Sequence, residues 1–401
     1  MKAAPGSVAA PAARPGAAVR TRDIFIVSNS VDEMGGVSSW AHRVGGLLAA
    51  RGHRLQLIGI VPVPEDRRQS LGSELPYSMT TLYREHPPQV HRPHRPVRRW
   101  NPVAKHRRTV RDAQAQAAAD RMSALFRAAR PGAMVIVTQV WAMEWVARAD
   151  LSGLRVIGMS HESFGACRAS SRFARVKRHY RDVDRMVVLT QEDADRWIRE
   201  GMNSTCSIPN PLPFETATPS PRTAKTVLSI GRLSEEKGYD LLLDAWAEVC
   251  RKRGDWRLRI HGSGPEEERL RQQCTELGLD GSVDFAGRTS DVPGALAKAS
   301  VFALSSRGEG FPISLMEAME CAVPCVAFDC APGVRTIVRD GEDGLLAPAG
   351  DTSTLAGQLE RLLGDRSLRD AMGDRARANI ARYAPDAVVG RWEELFTLLD
   401  R

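Results

Sequence analysis

The segment SSRGEGFPISLME, residues 305–317, contains two glutamates around which the rest of the chain can be interpreted. The apolar residues 301–304 before it predict a buried strand, and Pro312 is typical of the first residue of a helix. Glu309 then lies in a glycine-flanked loop, and Glu317 about one and a half turns inside the helix. The helix start attracts anions, whereas a carboxylate suits hydroxyl groups. The segment predicts a site for a sugar joined to a phosphate; a surface helix with incidental acids is the alternative.

Length and composition are those of a soluble protein with two domains. The chain has 401 residues, 43% hydrophobic and 26% charged, so each half can bury a core. No apolar run approaches the roughly 18 residues that a membrane span needs. Residues 1–21, rich in Ala, Pro and Gly, lack the apolar centre of a secretion signal and predict a disordered tail. The seven cysteines show no metal-binding spacing, which favours reduced thiols and a cytoplasmic location.

The positive charge is concentrated in one segment, residues 84–111. It contains nine Lys or Arg and one acidic residue, together with four of the nine histidines. A solvated, mobile loop is one interpretation. The other is a basic insertion that contacts an anionic surface, either phospholipid headgroups at a membrane or a phosphate-containing acceptor. Nucleic acid is not expected as a partner, because Trp100 is the only aromatic residue in the segment.

The N-terminal half alternates strands and helices. A strand at 23–29, a loop with Gly35 and Gly36, a helix at 37–51 and a strand at 53–61 form the unit of a parallel, doubly wound sheet. Another helix is predicted at 109–129. Further strands are predicted from three apolar runs: 133–138, 155–159 and 185–189.

His161 follows the second of these apolar runs directly. Ligands of doubly wound sheets gather at the carboxyl ends of the strands, so His161 is expected in the cleft. A structural role for a lone histidine is the alternative. Asp182 and Asp184 form a DxD pattern, but they precede their strand, at the end opposite the cleft, and no metal site is expected there.

A proline-rich linker at 209–222 separates the two halves, because proline blocks both helix and inner-strand pairing. It divides an N-terminal domain, residues 22–208, from a C-terminal domain, residues 223–384, in which the strand–helix alternation restarts. A last helix at 385–401 is expected to cross back to the N-terminal domain. The predicted fold is α/β, with two doubly wound Rossmann-like domains that face a central cleft.

The turn GRLSEEKG, residues 231–238, follows the first strand of the C-terminal domain. Arg232 and Lys237 can converge there on a diphosphate, the arginine as a planar fork of donors and the lysine as a point charge. A surface turn whose charges pair with each other is the alternative. The later HGSGPEEE, residues 261–268, lacks the third glycine of a dinucleotide fingerprint, so nicotinamide or flavin binding is weakly supported.

Taken together, these motifs resemble those of the retaining GT-B glycosyltransferases of family 4, the glycosyltransferase group 1 family. The resemblance covers both halves and is strongest over residues 226–348. One departure is Cys321, where glycine is usual in the family. The motifs that carry the resemblance are GGV (35–37), the His161 turn, IPNPL (208–212), GRLSEEKG, AGR (286–288) and EGFPISLMEAMECAVPCVAF (309–328).

The resemblance implies a role for each matching residue. Arg232 and Lys237 would bind the diphosphate of the donor and stabilise the departing nucleotide. Glu309 would bind hydroxyl groups of the donor sugar, and His161 would orient that sugar. These four residues form the implied catalytic set.

Five further residues are implied in donor binding. Gly310 and Phe311 would offer backbone N–H groups to the sugar and phosphate. Glu317 would bind the ribose hydroxyls, and Arg288 would border the nucleobase. Gly36 would approach the phosphate or the acceptor from the N-terminal domain.

The implied reaction is transfer of a hexosyl or N-acetylhexosaminyl group from a nucleotide diphosphate sugar, expected to be UDP-linked, with retention of configuration. No metal and no cofactor besides this donor substrate are expected. The expected acceptor is an anionic, lipid-linked or cell-envelope glycan, used in the cytoplasm at the inner face of the membrane. A small secondary metabolite as acceptor, a non-catalytic nucleotide-sugar-binding scaffold and a sugar-nucleotide epimerase are the alternatives.

Overall fold

The computed structural model describes residues 20–69, 71, 74–86, 102–216 and 218–400 of the chain. They form two α/β domains, each built on one parallel sheet, which confirms the predicted fold class. The expected disordered tail falls on residues 1–21, of which 1–19 lie outside the described residues. The same holds for residues 87–101 of the basic insertion.

The N-terminal sheet is parallel throughout, with the strand order β3-β2-β1-β4-β5-β6-β7. Its two edge strands were not predicted, because both are short and only partly buried. The strands are β1 (Asp23–Ser28), β2 (Arg54–Gly59), β3 (Ser78–Thr81), β4 (Met134–Val137), β5 (Arg155–Met159), β6 (Arg185–Val188) and β7 (Thr205–Ser207).

Helices cover both faces of this sheet. Successive side chains of β1 point to opposite faces, so Ile24 and Ile26 join one hydrophobic core while Phe25 and Val27 join the other. The helices are α1 (Gly36–Ala50), α2 (Pro102–Arg127), α3 (Met143–Val146), α4 (Phe164–Arg168), α5 (Arg172–His179) and α6 (Gln191–Arg199).

Helix α2 corrects one prediction. It begins at Pro102 instead of residue 109, so the last part of the basic insertion is helical and is not a loop. Proline is well suited to the start of a helix, since its missing N–H would have no helical partner there. The basic residues and prolines before Pro102 are also typical of loops, so the sequence pattern did not indicate where the helix begins.

The C-terminal domain repeats the plan with the strand order β10-β9-β8-β11-β12-β13. Its strands are β8 (Thr226–Ile230), β9 (Arg257–His261), β10 (Val283–Gly287), β11 (Val301–Leu304), β12 (Cys325–Asp329) and β13 (Gly344–Pro348). Its helices are α7 (Tyr239–Cys250), α8 (Glu267–Glu276), α9 (Val292–Ala297), α10 (Ile313–Glu320), α11 (Pro332–Ile337), α12 (Thr352–Gly364) and α13 (Arg366–Ile380), and the chain ends in α14 (Pro385–Leu399). None of the described helices combines the length and the hydropathy that crossing a bilayer requires.

Helix α14 packs against α1 of the N-terminal domain. The rings of Trp392 and Trp40 lie 5.8 Å apart between centroids. At the exposed side of the same contact, Arg51 pairs with Asp386 at 2.9 Å and with Glu393 at 3.1 Å. The last helix therefore ties the two domains together on the side of the N-terminal sheet that α1 covers.

Candidate functional site

The two sheets direct their carboxyl edges toward a shared cleft. In a parallel sheet the loops that follow the strands gather at one edge. The loops after β8, β9, β10 and β11 therefore meet at the edge of the C-terminal domain, and those after β1 and β5 at the edge of the N-terminal domain. Contacts between these loops, described next, show that the edges face each other.

Gly310 forms the closest contact between the two edges. A Cβ atom on Gly310 would lie 1.9 Å from the carbonyl oxygen of His161, so only glycine fits. The following Phe311 is buried, with its ring edge-on to Tyr383 at 5.4 Å. Pro312 lies at the N-cap position, just before α10, whereas the sequence predicted it as the first residue of the helix. The segment of residues 305–317 thus contacts the N-terminal domain through its backbone.

Lys237 and Glu309 form an ion pair inside the cleft. Lys237 Nζ lies 2.7 Å from Glu309 Oε1, which also accepts a hydrogen bond from Ser306 Oγ at 2.6 Å. The Glu309 side chain is only 9% exposed and that of Lys237 30%. The second oxygen, Oε2, accepts no hydrogen bond from the described residues, so the pair presents one open acceptor and one partly exposed cation.

The position of Lys237 is fixed by the loop after β11. Gly238 has a left-handed backbone conformation with φ of 62°, and a Cβ atom on it would lie 2.1 Å from the carbonyl oxygen of Ser305. Ser305 Oγ donates to the carbonyl oxygen of Lys237 at 3.1 Å. Arg307 reaches back as a fork to Asp240, with distances of 2.7 and 2.6 Å. These contacts bring the GRLSEEKG turn and the Glu309 loop together.

A cavity of about 460 Å³ lies beside this pair, between the two domains. Arg232 and Arg288 line it from the C-terminal domain, and Glu33, Met34 and Arg67 line it from the N-terminal domain. Arg232 is exposed and has no ion-pair partner among the described residues. The cavity therefore offers a free guanidinium to an anion.

Lys237 and Glu309 lie near this cavity but are not among the residues that line it. The Lys237 side chain runs past the start of its own loop, since a Cβ atom on Gly231 would lie 3.9 Å from Lys237 Cδ. Gly231 itself lines the cavity. Lys237 of the ion pair and the free Arg232 thus lie in the same loop, five positions apart.

His161 presents a buried nitrogen without a partner. The residue is half-buried, its ring lies edge-on to Trp40 at 5.1 Å between centroids, and Nε2 has no hydrogen-bond partner among the described residues. Burial lowers the pKa of His161 to about 4. The imidazole is therefore neutral at neutral pH and can take part in a hydrogen bond without adding positive charge.

A buried carboxyl group anchors the segment that carries His161. Asp193 Oδ1 accepts a hydrogen bond from the Phe164 backbone N–H at 2.8 Å, and Asp193 Oδ2 accepts one from Thr190 Oγ1 at 2.7 Å. Thr190 caps α6 and in turn accepts from the Asp193 N–H at 3.0 Å. The His161 turn is therefore attached to the start of α6.

Two of the expected donor-binding residues have no close partner. Glu317 is half-buried in α10, and burial raises the pKa of its carboxyl group to about 7. No described residue forms a hydrogen bond with that carboxyl group. Gly36 is the exposed first residue of α1, and a Cβ atom added to it would meet nothing within 4 Å. Open space therefore lies beside Gly36, and the Glu317 carboxyl group is without a hydrogen-bond partner among the described residues.

Sequence reasoning missed several residues of the site. Ser306 lies within the quoted segment, and its hydroxyl group binds Glu309. Met34 precedes the expected GGV motif, and Arg288 NH2 lies 2.8 Å from Met34 Sδ across the cleft. Gly262 and Gly264 of the HGSG turn were assessed only as a dinucleotide motif. A Cβ atom on either would lie within 2.1 Å of a carbonyl oxygen of the GRLSEEKG loop, so their role is close backbone packing.

No group of three or more His, Cys, Asp or Glu residues suited to a metal occurs in the described part of the chain. Asp184 of the DxD pattern instead accepts hydrogen bonds at the start of β5. Its carboxylate binds the Val156 N–H at 2.7 Å and the Arg155 guanidinium at 3.2 Å. This carboxylate therefore connects β5 to β6 at the amino edge of the sheet.

Comparison with known families matches residues 214–379 to the model described as glycosyl transferases group 1. Sequence relatives cover a similar part of the chain. An exopolysaccharide phosphotransferase of Streptomyces coelicolor is 39% identical over 222 residues, which are 54% of this chain and 24% of that protein. An uncharacterized glycosyltransferase of Haemophilus influenzae is 34% identical over 215 residues, 52% of this chain and 60% of that protein.

A third relative is the phosphatidyl-myo-inositol mannosyltransferase of Mycobacterium leprae. It is 36% identical over 216 residues, which are 51% of this chain and 56% of that protein. The chain therefore spans less than two thirds of the length of each of these three relatives.

Solved structures match nearly the whole chain. TarM of S. aureus superposes with a TM-score of 0.75 at 14% identity, covering 94% of this chain and all of that chain. Sucrose-phosphate synthase of Thermosynechococcus elongatus superposes with a TM-score of 0.74 at 20% identity, covering 94% of this chain and 99% of that chain. At these identities the likeness establishes the fold. The two domains of this chain form a GT-B fold, and residues 214–379 match the family model of the glycosyl transferases of group 1.

Proposed function

We propose that this protein is a retaining glycosyltransferase that uses a nucleotide diphosphate sugar, UDP-linked in our hypothesis, as its donor. The observation that carries the proposal is the arrangement around Glu309. A nearly buried carboxylate with one open oxygen lies 2.7 Å from an ammonium group, next to a loop with an unpaired guanidinium. The open carboxylate oxygen can accept hydrogen bonds from sugar hydroxyls, and the ammonium and guanidinium groups can bind a diphosphate.

Arg232 and Lys237 provide the electrostatic part of the proposed reaction. The bond between the anomeric carbon and the phosphate breaks, and negative charge grows on the departing diphosphate. Cations that are already in place stabilise this charge more than they stabilise the intact donor, which lowers the barrier. The Glu309 carboxylate keeps Lys237 Nζ in position before the donor binds.

The acceptor hydroxyl would attack from the face of the sugar that the diphosphate leaves, so that the configuration is retained. Its proton would pass to the departing phosphate oxygen. His161 would form a hydrogen bond to the hexosyl or N-acetylhexosaminyl group through Nε2. Because the imidazole is neutral, it would orient the sugar without competing with Arg232 and Lys237 for the diphosphate.

For the acceptor we propose an anionic, lipid-linked or cell-envelope glycan. The names of the M. leprae and S. coelicolor relatives, a phosphatidyl-myo-inositol mannosyltransferase and an exopolysaccharide phosphotransferase, support this class. Such an acceptor would place the enzyme in the cytoplasm, at the inner face of the membrane, with the basic insertion toward the anionic surface.

A panel of nucleotide sugars tests the proposal. The purified protein would be incubated with UDP-, ADP-, GDP- and dTDP-linked hexoses and N-acetylhexosamines, and released nucleotide would be measured. Slow hydrolysis of one donor, lowered about a hundredfold by Arg232→Ala, is the expected result. A protein that binds a donor but never releases its nucleotide would be a scaffold, and isomerisation of the sugar would indicate an epimerase; either result contradicts the proposal.

A further inference from the structure

Helix α2 is longer than the core that supports it. It contains 26 residues, yet its first buried residue is Ala115. Every residue from 105 to 114 whose burial is described is exposed or half-buried. At about 1.5 Å per residue, the part before Ala115 is roughly 20 Å long. Half of the helix therefore projects beyond the hydrophobic core.

The projecting half extends past the carboxyl edge of the N-terminal sheet. Arg121, well inside α2, already donates to the carbonyl oxygen of Leu82, which directly follows β3. Farther toward the start of the helix, Asp112 pairs at 3.3 Å with Arg148, which lies just after α3. The residues before Asp112 thus lie on the cleft side of the domain, where the proposed acceptor would bind.

In its second half, α2 presents one stripe of side chains to the hydrophobic core. This stripe is buried and apolar except for one serine, and it consists of Ala115, Ala118, Ala119, Met122, Ser123 and Phe126. Residues three, four and seven positions apart share a helix face. The exposed Arg108 and the half-buried Arg111 therefore continue the same stripe beyond the core, in the part of the helix that extends past the carboxyl edge of the sheet.

Neither arginine is neutralised by the described part of the chain. No ion pair or side-chain hydrogen bond joins Arg108 or Arg111 to a described residue, although Asp112 is next in sequence and pairs with Arg148. Lys105 and Arg107 lie to either side of the stripe and are also without an acidic partner there. Two unpaired guanidinium groups one helical turn apart suit phosphate oxygens, which accept paired N–H donors.

We propose that Arg108 and Arg111 bind a phosphate group of the acceptor. This inference rests on the proposed function, because it assumes that the acceptor occupies the carboxyl edge of the N-terminal domain. The ligand chemistry is a phosphodiester or pyrophosphate next to a sugar. A lipid-linked headgroup and a soluble phosphate-containing glycan share this chemistry, and the experiment separates the two.

The test measures binding of two phosphate-bearing probes to the full chain and to Arg108→Ala/Arg111→Ala. One probe is a short glycerol-phosphate oligomer in solution. The other is a vesicle of phosphatidylcholine with or without phosphatidylglycerol. The double variant is expected to weaken binding of at least one phosphate probe about tenfold or more, since each charge-assisted hydrogen bond contributes roughly 1.5–3 kcal/mol. Loss for the oligomer indicates a soluble acceptor, and loss for the anionic vesicle alone indicates a lipid-linked one.

The matched control is Lys105→Ala/Arg107→Ala. It removes the same charge from the same turns of the helix but leaves the stripe of Arg108 and Arg111 intact. The control is expected to weaken binding at most twofold to threefold through long-range electrostatics. Equal losses in the two double variants, or unchanged binding of both probes by Arg108→Ala/Arg111→Ala, would overturn the proposal.

Donor hydrolysis separates this inference from the proposed function. Arg108 and Arg111 lie in the other domain from Arg232 and Lys237, so the variant should release nucleotide from the donor at the rate of the unaltered protein. Intact donor hydrolysis with unaltered probe binding refutes the phosphate site alone. No donor hydrolysis in any form of the protein refutes the proposed function instead.

Discussion

The two sides of the cleft are built in different ways. On the C-terminal side, short loops pack so closely that a Cβ atom on Gly238, Gly262 or Gly264 would lie about 2 Å from a backbone carbonyl oxygen. On the N-terminal side, Gly35 and Gly36 face open space and the helix that carries Arg108 extends beyond the hydrophobic core. A rigid edge suits a ligand with fixed chemistry, such as a nucleotide diphosphate, whereas an open edge can accept varied partners.

The largest expected effect concerns the rigid side. Arg232→Ala and Lys237→Ala should each lower turnover about a hundredfold, because one preorganised contact to a developing charge contributes roughly 3 kcal/mol. Initial rates with the donor selected by the panel would measure this loss. Lys225→Ala is the matched control: it removes an exposed lysine just before β8, paired with Asp255 at the opposite edge of the sheet. Unchanged turnover in both site variants would contradict the assignment.

One added methyl group, at Gly310, can disrupt the contact between the two sides. Gly310→Ala places a methyl group against the His161 carbonyl oxygen, so the domains must separate or the Glu309 loop must shift. A displacement of about 1 Å in a reacting site lowers rates tenfold to a hundredfold, and we expect a loss in this range. Gly308→Ala, whose Cβ would lie 3.9 Å from Glu236 Oε1 as its nearest neighbour, should remain close to full activity. Equal rates in the two variants would show that the contact has no role in catalysis.

Glu317, on the rigid side, is expected to make the free energy of unfolding depend on pH. Burial raises its pKa from 4.5 to about 7, so the folded protein holds this proton more tightly than the unfolded chain. The stabilisation is present below about pH 4.5 and is lost as the pH rises through about 7. Glu317→Gln should remove this dependence, and its free energy of unfolding relative to the unaltered protein should rise by roughly 1–3 kcal/mol between pH 4.5 and pH 8.

Denaturant unfolding at several pH values measures the effect of Glu317. The exposed Glu276→Gln in α8 serves as the control, with little expected change in its pH profile. A parallel profile for Glu317→Gln and the unaltered protein would show that the Glu317 carboxyl group is not protonated more readily in the folded state.

The smallest expected effect concerns an ion pair that joins the two sides. Arg335 at α11 lies 3.1 Å from Glu192 at α6, with more than a third of each side chain exposed. Exposed pairs contribute about 0.5 kcal/mol, so Arg335→Ala should raise the donor KM about twofold. A double-mutant cycle with Glu192→Ala isolates the coupling between the two residues. Arg196→Ala removes the other, intradomain partner of Glu192 and should leave KM unchanged; additive effects of Arg335→Ala and Glu192→Ala would exclude a role for the pair.

The sequence predicted the repeating parts of the fold well. Strand β5 coincides with its predicted bounds and helix α14 begins at the predicted residue, because buried apolar runs and a proline at the helix start are local patterns. The edge strands β3 and β7 were missed, since a short, half-exposed strand has little hydrophobic periodicity. The early start of α2 was missed because basic residues and prolines are also typical of loops.

The candidate site residues came from short motifs, whose chemistry is local. The segments that contain Arg232, Lys237 and Glu309 were recognised one by one, and the structure places Lys237 against Glu309 although they are 72 positions apart. Sequence could not show that Lys237 pairs with Glu309 and not with the neighbouring Glu235 or Glu236. It also could not show the contact of Gly310 with His161, because contacts between domains leave no periodic trace in either segment.

Affinity for a nucleoside diphosphate, compared with that for the matching monophosphate, tests the central claim most directly. Calorimetric titration with the nucleoside that the panel selects would give both dissociation constants, for the unaltered protein and for Arg232→Ala/Lys237→Ala. If these cations hold the distal phosphate, the unaltered protein should prefer the diphosphate by about tenfold or more, and the double variant should lose that preference while still binding the monophosphate. An undiminished preference in the double variant would contradict the account.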